Sequence, residues 1–280
     1  MTPTCDAAPA PTGVETALLD AVRTVAAREI MPRFGRLASS DVSLKSGPDD
    51  PVTVADKAAE AALQSAFAHI LPDAAFVGEE GVAENPTLLD AISTAERAVI
   101  VDPIDGTANY ATGLPLFGVI IAVVERGETV FGLLYDPVTD DCVAARRGAG
   151  AWRERADGQR EPLQTRSAPF GEASGLVPIN MYDKADRPGI MAAYAGVGKI
   201  RSLRCSCHEY RSLAAGHVDF IVSPRPAPWD HAAGVLVATE AGGAAQMAGA
   251  PYRPGGDKGP LTVAARPHLL EPLVSLQATI

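Results

Sequence analysis

The sequence predicts an α+β N-terminal half joined to an α/β C-terminal half. Three observations carry that reading. Two amphipathic helical stretches open the chain, and short apolar strand segments then run from residue 74 to 146 with no long helix among them. Beyond residue 175, helix and strand patterns alternate. The 280 residues are 47% hydrophobic, enough to bury a large core as one big domain or two fused layers. Glycine and charge dominate 147–175, so the division falls there. The expected organisation is a disordered tail over 1–14, an α+β half over 15–150 and an α/β half over 151–280.

Residues 15–31 place Leu18, Leu19, Val22, Val25, Ala26 and Ile30 on one stripe, and Pro32 stops the helix. The segment 35–52 is polar, with two prolines, and reads as a loop or flexible hairpin. Thr53 caps a second helix over 54–70, expected to turn Ala58, Ala62, Ala66 and Ile70 inward; Pro72 follows its end. Strands follow at 74–78, 98–102, 116–124, 129–136 and 141–146, with "ERGE" (125–128) as the hairpin turn between the third and fourth. After the boundary region come a helix at "RPGIMAAYA", a strand at "KIRSL", a helix over 206–215, a strand at "VDFIVS" and a helix over 230–243 ending at Gly242-Gly243. "LTVAA" adds a last strand and the remaining segment a last helix. No internal repeat is present.

Charge narrows the function. Lys and Arg number 24 against 34 acids, a net charge of −10, which disfavours nucleic acid and anionic membrane as partners. A small anionic ligand held through cations stays compatible. The opening "MTPTCDAAPAPTG" has neither a basic start nor a leucine-rich core and does not read as a signal peptide. The longest apolar run, "FGVIIAVV", is far below the ~20 residues of a membrane span. Cys5, Cys142, Cys205 and Cys207 form no C-x-x-C pair, so a reducing cytoplasm is the expected location. Cys205-Ser206-Cys207 is read as core packing, with metal binding the lesser alternative.

The acids carry the chemistry. "VDPIDGTANY" (101–110) brings Asp102 and Asp105 out of an apolar strand, three residues apart, ahead of Gly106-Thr107. Asp56 on the second helix, Glu79-Glu80 after a strand and Asp230 at a helix start complete the set. Alone, each has an ordinary reading: a solvated helix acid, a charged turn, an N-cap. Together, Glu79, Asp102 and Asp230 share strand ends or helix starts, where sheet architectures gather ligands. Two like charges 4 Å apart repel by roughly 4 kcal/mol at an effective dielectric of 20. Converging carboxylates must therefore hold protons or cations, and all-oxygen donors favour Mg²⁺, Mn²⁺ or Ca²⁺. A helix opening at Gly106-Thr107 would aim free N–H groups at an anion, and acids for metal beside amides for an anion point to a bridging phosphate.

At this point the chain resembles the inositol monophosphatase family, the lithium-sensitive, Mg-dependent sugar phosphatases. "DPIDGT" is similar to its signature, and "VGEE" (77–80) and "WDHAAGVLVATEAGG" (229–243) match two further signatures in order. "PVTVAD" (51–56) resembles the segment carrying the family's water-polarising aspartate. Lys45, eleven residues before Asp56, falls in the family's mobile loop. The resemblance spans roughly 45–243 and implies a layered αβαβα sandwich, the carbohydrate phosphatase fold, and a homodimer. It also implies two or three Mg²⁺ ions per site: one on Glu79, Asp102 and the carbonyl of Ile104, a second on Asp102, Asp105 and Asp230, and a weaker third near Glu79. Glu79, Thr107 and Asp56 would be catalytic, Asp56 polarising Thr107 to orient the attacking water. Asp105, Gly106, Thr107, Ser206, Ser223 and Asp230 would contact a small phosphorylated substrate.

Two motif rivals fail on spacing. The haloacid dehalogenase signature needs D-x-D-G-T, whereas Pro103-Ile104 makes this D-x-x-D; a calcium loop needs D-x-[DN]-x-[DN]-G. A regulatory binding protein on the same scaffold is the non-enzyme alternative, opposed by the intact acid set. Departures lie where substrate would sit. Eukaryotic inositol phosphatases carry an acid seven residues before the last metal aspartate; here that position is Ser223, in "SPRPAPWD" with Arg225. The ring-contacting loop reads "RCSCHEY" (204–210), offering Ser206, His208 and Glu209, with a structural hydrogen bond as the alternative reading of His208 and Glu209. The expected reaction is hydrolysis of an inositol-1-phosphate type monoester, with histidinol phosphate, a sugar bisphosphate or a nucleotide 3′-phosphate as alternatives.

Overall fold

The computed structural model describes residues 8–45, 47, 51–256 and 259–278. Of the tail expected over 1–14, residues 1–7 lie outside these. Pro9 is tied down through its carbonyl to Arg160, and α1 (Gly13–Val25) already begins at Gly13, held by a capping box between Thr12 and Glu15. The expected stripe of α1 is buried as drawn, but the α-helix ends at Val25 and continues as a π-turn over Ala26–Ile30.

The polar segment that follows holds a short hairpin, β1 (Val42–Leu44) against β2 (Pro51–Thr53); residues 46 and 48–50 lie outside the description. Thr53 then caps α2 (Val54–Ile70), again by a capping box, with Asp56 as its reciprocal acid. The inward face of α2 differs from expectation by one position. Ala55, Ala59, Leu63 and Phe67 are fully buried, while Ala58, Ala62, Ala66 and Ile70 are half-buried. The larger apolar groups of Leu63 and Phe67 set the face, and this rotation carries Asp56 and Glu60 inward with them.

A seven-stranded sheet is the central layer: β3 (Ala75–Gly78), β4 (Arg97–Asp105), β5 (Gly118–Glu125), β6 (Glu128–Asp136), β7 (Asp141–Arg146), β8 (Gly150–Glu154) and β9 (Arg160–Leu163), paired in chain order. Only β3 and β4 run parallel; the rest is an antiparallel meander. Residue 150, the expected division, lies at the start of β8, and the sheet runs on to Leu163. The arginines and glutamates of 153–161 mask these two strands in the sequence; they pair across β8 and the edge strand β9, as in Arg160 with Glu154.

The second sheet has six strands: β10 (Ser174–Leu176), β11 (Lys199–Arg201), β12 (Phe220–Ser223), β13 (Ala244–Met247), β14 (Ala250–Pro251) and β15 (Leu261–Ala264), in the spatial order 11-10-12-15-13-14. The helices separate these sheets into five layers. Short α3 (Glu79–Glu84), α4 (Ala91–Thr94) and α5 (Thr107–Ala111) lie at strand ends; α6 (Arg187–Ala193), α7 (Ser206–Ala214), α8 (Pro228–Glu240) and α9 (Pro267–Ala278) complete the chain.

Strand alternation divides the core. Val99, Val101, Val119 and Ile121 face α1 and α2; Ala98, Ile100, Ile120 and Ala122 face α7 and α8. The outer face of the second sheet, with Phe220 and Val222, is covered by Ile190 of α6 and Leu269 and Leu273 of α9. The order α–β–α–β–α is the layered sandwich expected. Because α8 is enclosed between both sheets, it is apolar all round, from Ala232 to Ala238. No helix among the described residues is long and apolar enough to cross a membrane.

Candidate active site

The central strand makes the site possible. β4 pairs regularly with β5 up to Asp102, then shifts register before Asp105. That bulge absorbs Pro103 and Ile104, so both aspartates emerge at the sheet end instead of pointing to opposite faces at alternate positions. Ile104 N–H turns back onto Asp102 Oδ1 at 3.1 Å. Asp230 arrives from the first turn of α8, where the helix dipole favours an acid. Asp102, Asp105 and Asp230 each present a carboxylate oxygen within 4.8 Å of the others.

Burial pushes all three carboxyls above the ordinary aspartate range. The neighbouring charges, Glu79 among them, push Asp102 and Asp230 higher still. Asp105 is partly relieved, because Cys205 Sγ (3.0 Å), Ser206 N–H (3.1 Å) and Cys207 N–H (2.6 Å) all donate to it. It thus serves as the acid at the N-terminus of α7. Three oxygen-donor acids this close, Asp102 and Asp105 buried and Asp230 half-buried, are stable either protonated or around cations, and a hard divalent ion suits the donor set.

Glu79 opens α3 directly from β3. Lys45 Nζ lies 2.7 Å from Glu79 Oε1 and 2.6 Å from Glu80 Oε1, so the lysine meets the two carboxylates themselves. Asp56 stands behind the cluster. Its Oδ2 accepts from Thr53 N–H (2.8 Å) and Thr53 Oγ1 (2.5 Å), and its Oδ1 lies 3.2 Å from Thr107 Oγ1. The Thr107 hydroxyl also meets the Ile104 carbonyl at 2.9 Å. Burial pushes the Asp56 carboxyl up to about 7. The expected link from Asp56 to Thr107 is therefore a contact, and the structure adds a second one from Thr107 to the Asp102–Asp105 turn.

Gly106 adopts φ +84°, the left-handed region, to start α5. A Cβ there would sit 3.0 Å from Leu116 O and 3.1 Å from Cys205 Cβ, so the chain's own packing demands glycine. Asn109, three residues on, donates to the carbonyls of Leu116 and Leu203 and ties this turn to the loop before α7.

A cleft of about 270 Å³ leads away from Asp105 and Asp230, lined among others by Asn180, Arg204, Ser206, Glu209 and Ser223. Ser206 and Ser223, the serines expected to contact substrate, both line this cleft. Glu209 lines it too, but its Oε1 accepts from Leu203 N–H at 3.1 Å, and burial pushes its carboxyl up to about 7. His208 turns the other way: its Nε2 lies 3.0 Å from the Phe117 carbonyl, so it is a tether to the large sheet. Arg225 is exposed and pairs with Asp183 at 3.1 Å. Cysteine packing at 205 and 207 is as read: Gly118 is glycine because Cys207 Sγ lies 2.4 Å from where its Cβ would be.

Sequence reasoning passed over the Cys205 thiol on Asp105, the Asn109 brace and Glu60. For Glu60 a signal existed, since it lies one turn beyond Asp56 on the same face.

Fold and site together define a phosphatase whose acid cluster suits metal ions. The chain belongs to the inositol monophosphatase family, whose sequence pattern matches residues 12–277. It is 32% identical over 214 residues to the fructose-1,6-bisphosphatase/inositol-1-monophosphatase of Thermotoga maritima, covering 76% of this chain and 77% of that one. It is 31% identical over 213 residues to the histidinol-phosphatase of Chlorobaculum parvum, covering 75% and 76%. Among solved structures, a Thermotoga maritima IMPase matches with a TM-score of 0.77 at 26% identity, over 93% of this chain and 96% of that one.

Proposed function

We propose that this enzyme hydrolyses the phosphomonoester of a small polyol or sugar, of the inositol-1-phosphate type, with Mg²⁺. The observation that carries the reading is the convergence of Asp102, Asp105 and Asp230 at the mouth of a cleft sized for one small molecule. Glu79, Asp102, Asp105, Asp230 and the Ile104 carbonyl are the ligand set. Divalent ions held there supply charge neutralisation for the phosphate and acidity for the attacking water.

The chain's own groups do the rest. Thr107, fixed between Asp56 and the Ile104 carbonyl, orients the water and passes its proton toward Asp56, whose pKa of about 7 suits a transient acceptor. The amides of Gly106 and Thr107 hold the phosphate, while Ser206 and Ser223 face the alcohol portion. Asp105, already clamped by α7, enters the site preorganised.

A second substrate reading follows from Ser223 and Arg204. The cleft has a neutral hydroxyl where the eukaryotic inositol phosphatases carry an acid, and it has a guanidinium-bearing residue on its wall. Both favour a substrate with a further anionic group, such as a sugar bisphosphate. A phosphatase panel over inositol, histidinol, sugar and nucleotide phosphates, a sugar bisphosphate among them, run with Mg²⁺ and with EDTA, tests both. Highest kcat/KM on inositol phosphate supports the first reading, and full turnover after chelation overturns the metal site.

A further inference from the structure

We propose that Glu60 is the positioning residue for Glu79: its carboxylate, reaching across from α2, fixes the first turn of α3 and so sets Glu79 at the acid cluster. The inference rests on Glu79 being a metal ligand.

α3 leaves β3 without a linker, and its N-cap is Gly78, which has no side chain to satisfy the first-turn amides. Glu60 supplies both acceptors. Its Oε2 takes Glu80 N–H at 2.8 Å and its Oε1 takes Gly81 N–H at 2.7 Å. The amides held are those of the two residues following Glu79, so the carboxylate grips the turn from which Glu79 projects.

Gly78 shows how tightly this pair is made. Its φ of −96° is open to any residue, so backbone conformation does not require glycine. Space does: a Cβ would lie 2.3 Å from Glu60 Cδ and 2.5 Å from each of its oxygens. The glutamate lies flat against the last residue of β3, which is why "VGEE" carries glycine before its acids. Glu60 is 8% exposed and sits one turn beyond Asp56. One face of α2 therefore reaches the site twice, to Thr107 through Asp56 and to Glu79 through Glu60.

A cap that served only stability would move the melting point and leave ion affinity alone; a positioning residue moves ion affinity first. The test is titration of Mn²⁺ into wild-type and variant protein, read by the EPR signal of the free ion, alongside the thermal midpoint. Glu60→Gln keeps the shape but turns an amino group toward an N–H donor. It should raise half-saturating Mn²⁺ by about 10–100-fold, the usual cost of losing a residue that orients a ligand, with a much smaller loss in Tm. A folded Glu60→Gln protein binding Mn²⁺ within about twofold of wild type overturns the proposal.

Gly78→Ala should weaken Mn²⁺ binding by pushing the carboxylate off its amides. Adding Glu60→Ala to Gly78→Ala should recover the melting point without recovering the ion; recovery of both overturns the role. If Glu60→Gln does not fold, amide exchange in wild type decides: Glu80 and Gly81 must be as protected as the strands, and fast exchange there refutes the grip. A wild type that takes up no Mn²⁺ overturns the metal reading and this inference together, whereas equal uptake by wild type and variant overturns this inference alone.

Discussion

Asp102→Asn should make the metal-free protein more stable and the metal-loaded protein less so. The side chain keeps its shape, and its oxygen still accepts from Ile104 N–H. What disappears is a charge facing Asp105 and Asp230 within 4.8 Å. At an effective dielectric of 20, each such pair costs roughly 3.5 kcal/mol when both partners are ionised. Burial and mutual repulsion push these carboxyls up, so protons already relieve much of that repulsion at neutral pH. A remaining gain of about 1–3 kcal/mol corresponds to a Tm rise of roughly 2–6 °C in EDTA for a chain this size. Against this, wild type at a hundred times its Kd for Mg²⁺ gains about 2.7 kcal/mol, near 5 °C, which the variant should largely lose along with turnover. Thermal scans in EDTA and in Mg²⁺ read both signs in one experiment. A variant that melts lower in EDTA, or one that keeps the full Mg²⁺ shift, refutes the idea that Asp102 is the charge at the centre of the cluster.

Three further outcomes follow from the same geometry. The Asp56 carboxyl is raised to about 7 in the fold against 3.8 for the free group, so its contribution to stability is complete below about pH 4 and is lost as pH rises through 7. In EDTA, wild-type Tm should fall relative to Asp56→Asn between pH 4 and 8; a constant difference removes the buried carboxyl from the account. Lys45→Met leaves Glu79 and Glu80 without their shared cation and should cost about 2 kcal/mol, roughly 4 °C, in EDTA, with part restored by Mg²⁺. An unchanged midpoint there would show the pair to be energetically idle. Glu80→Gln should reduce kcat/KM far less than Asp102→Asn, and equal losses would mean that the two glutamates are assigned the wrong way round.

Much of this was legible in the sequence where local chemistry and tertiary demand agree. Thr53 caps α2 as its hydroxyl and the following acid dictate, and the stripe of α1 is buried as its spacing requires. The acids of "DPIDGT" and the aspartate of "WDHAAG" do converge. Reading failed where a distant element decides. β8 and the edge strand β9 carry arginines and glutamates that look like a linker until their cross-strand partners are seen. The inward face of α2 turns by one residue because Leu63 and Phe67 outweigh the alanines. His208 has two readings in sequence, a substrate contact or a structural hydrogen bond, and only the carbonyl of Phe117, ninety-one residues away, shows it to be a tether. Glu60 shares a face of α2 with Asp56 but belongs to no motif, because the amides it holds, those of Glu80 and Gly81, lie twenty and twenty-one residues away.

The clamp on Asp105 has a consequence for how the chain folds. The carboxylate belongs to the central strand, yet its donors lie about a hundred residues later, at the start of α7. Asp230 comes later still, on the helix enclosed between the two sheets. Closing loops of that length is slow, and until both sheets have docked the central strand offers its two like-charged acids with neither the clamp nor Asp230. Ion capture should therefore be a late event in refolding, and a stopped-flow metal signal would time the moment the second sheet arrives. A fragment ending before residue 174 would retain Glu79, Asp102 and Asp105 and still bind the ion poorly.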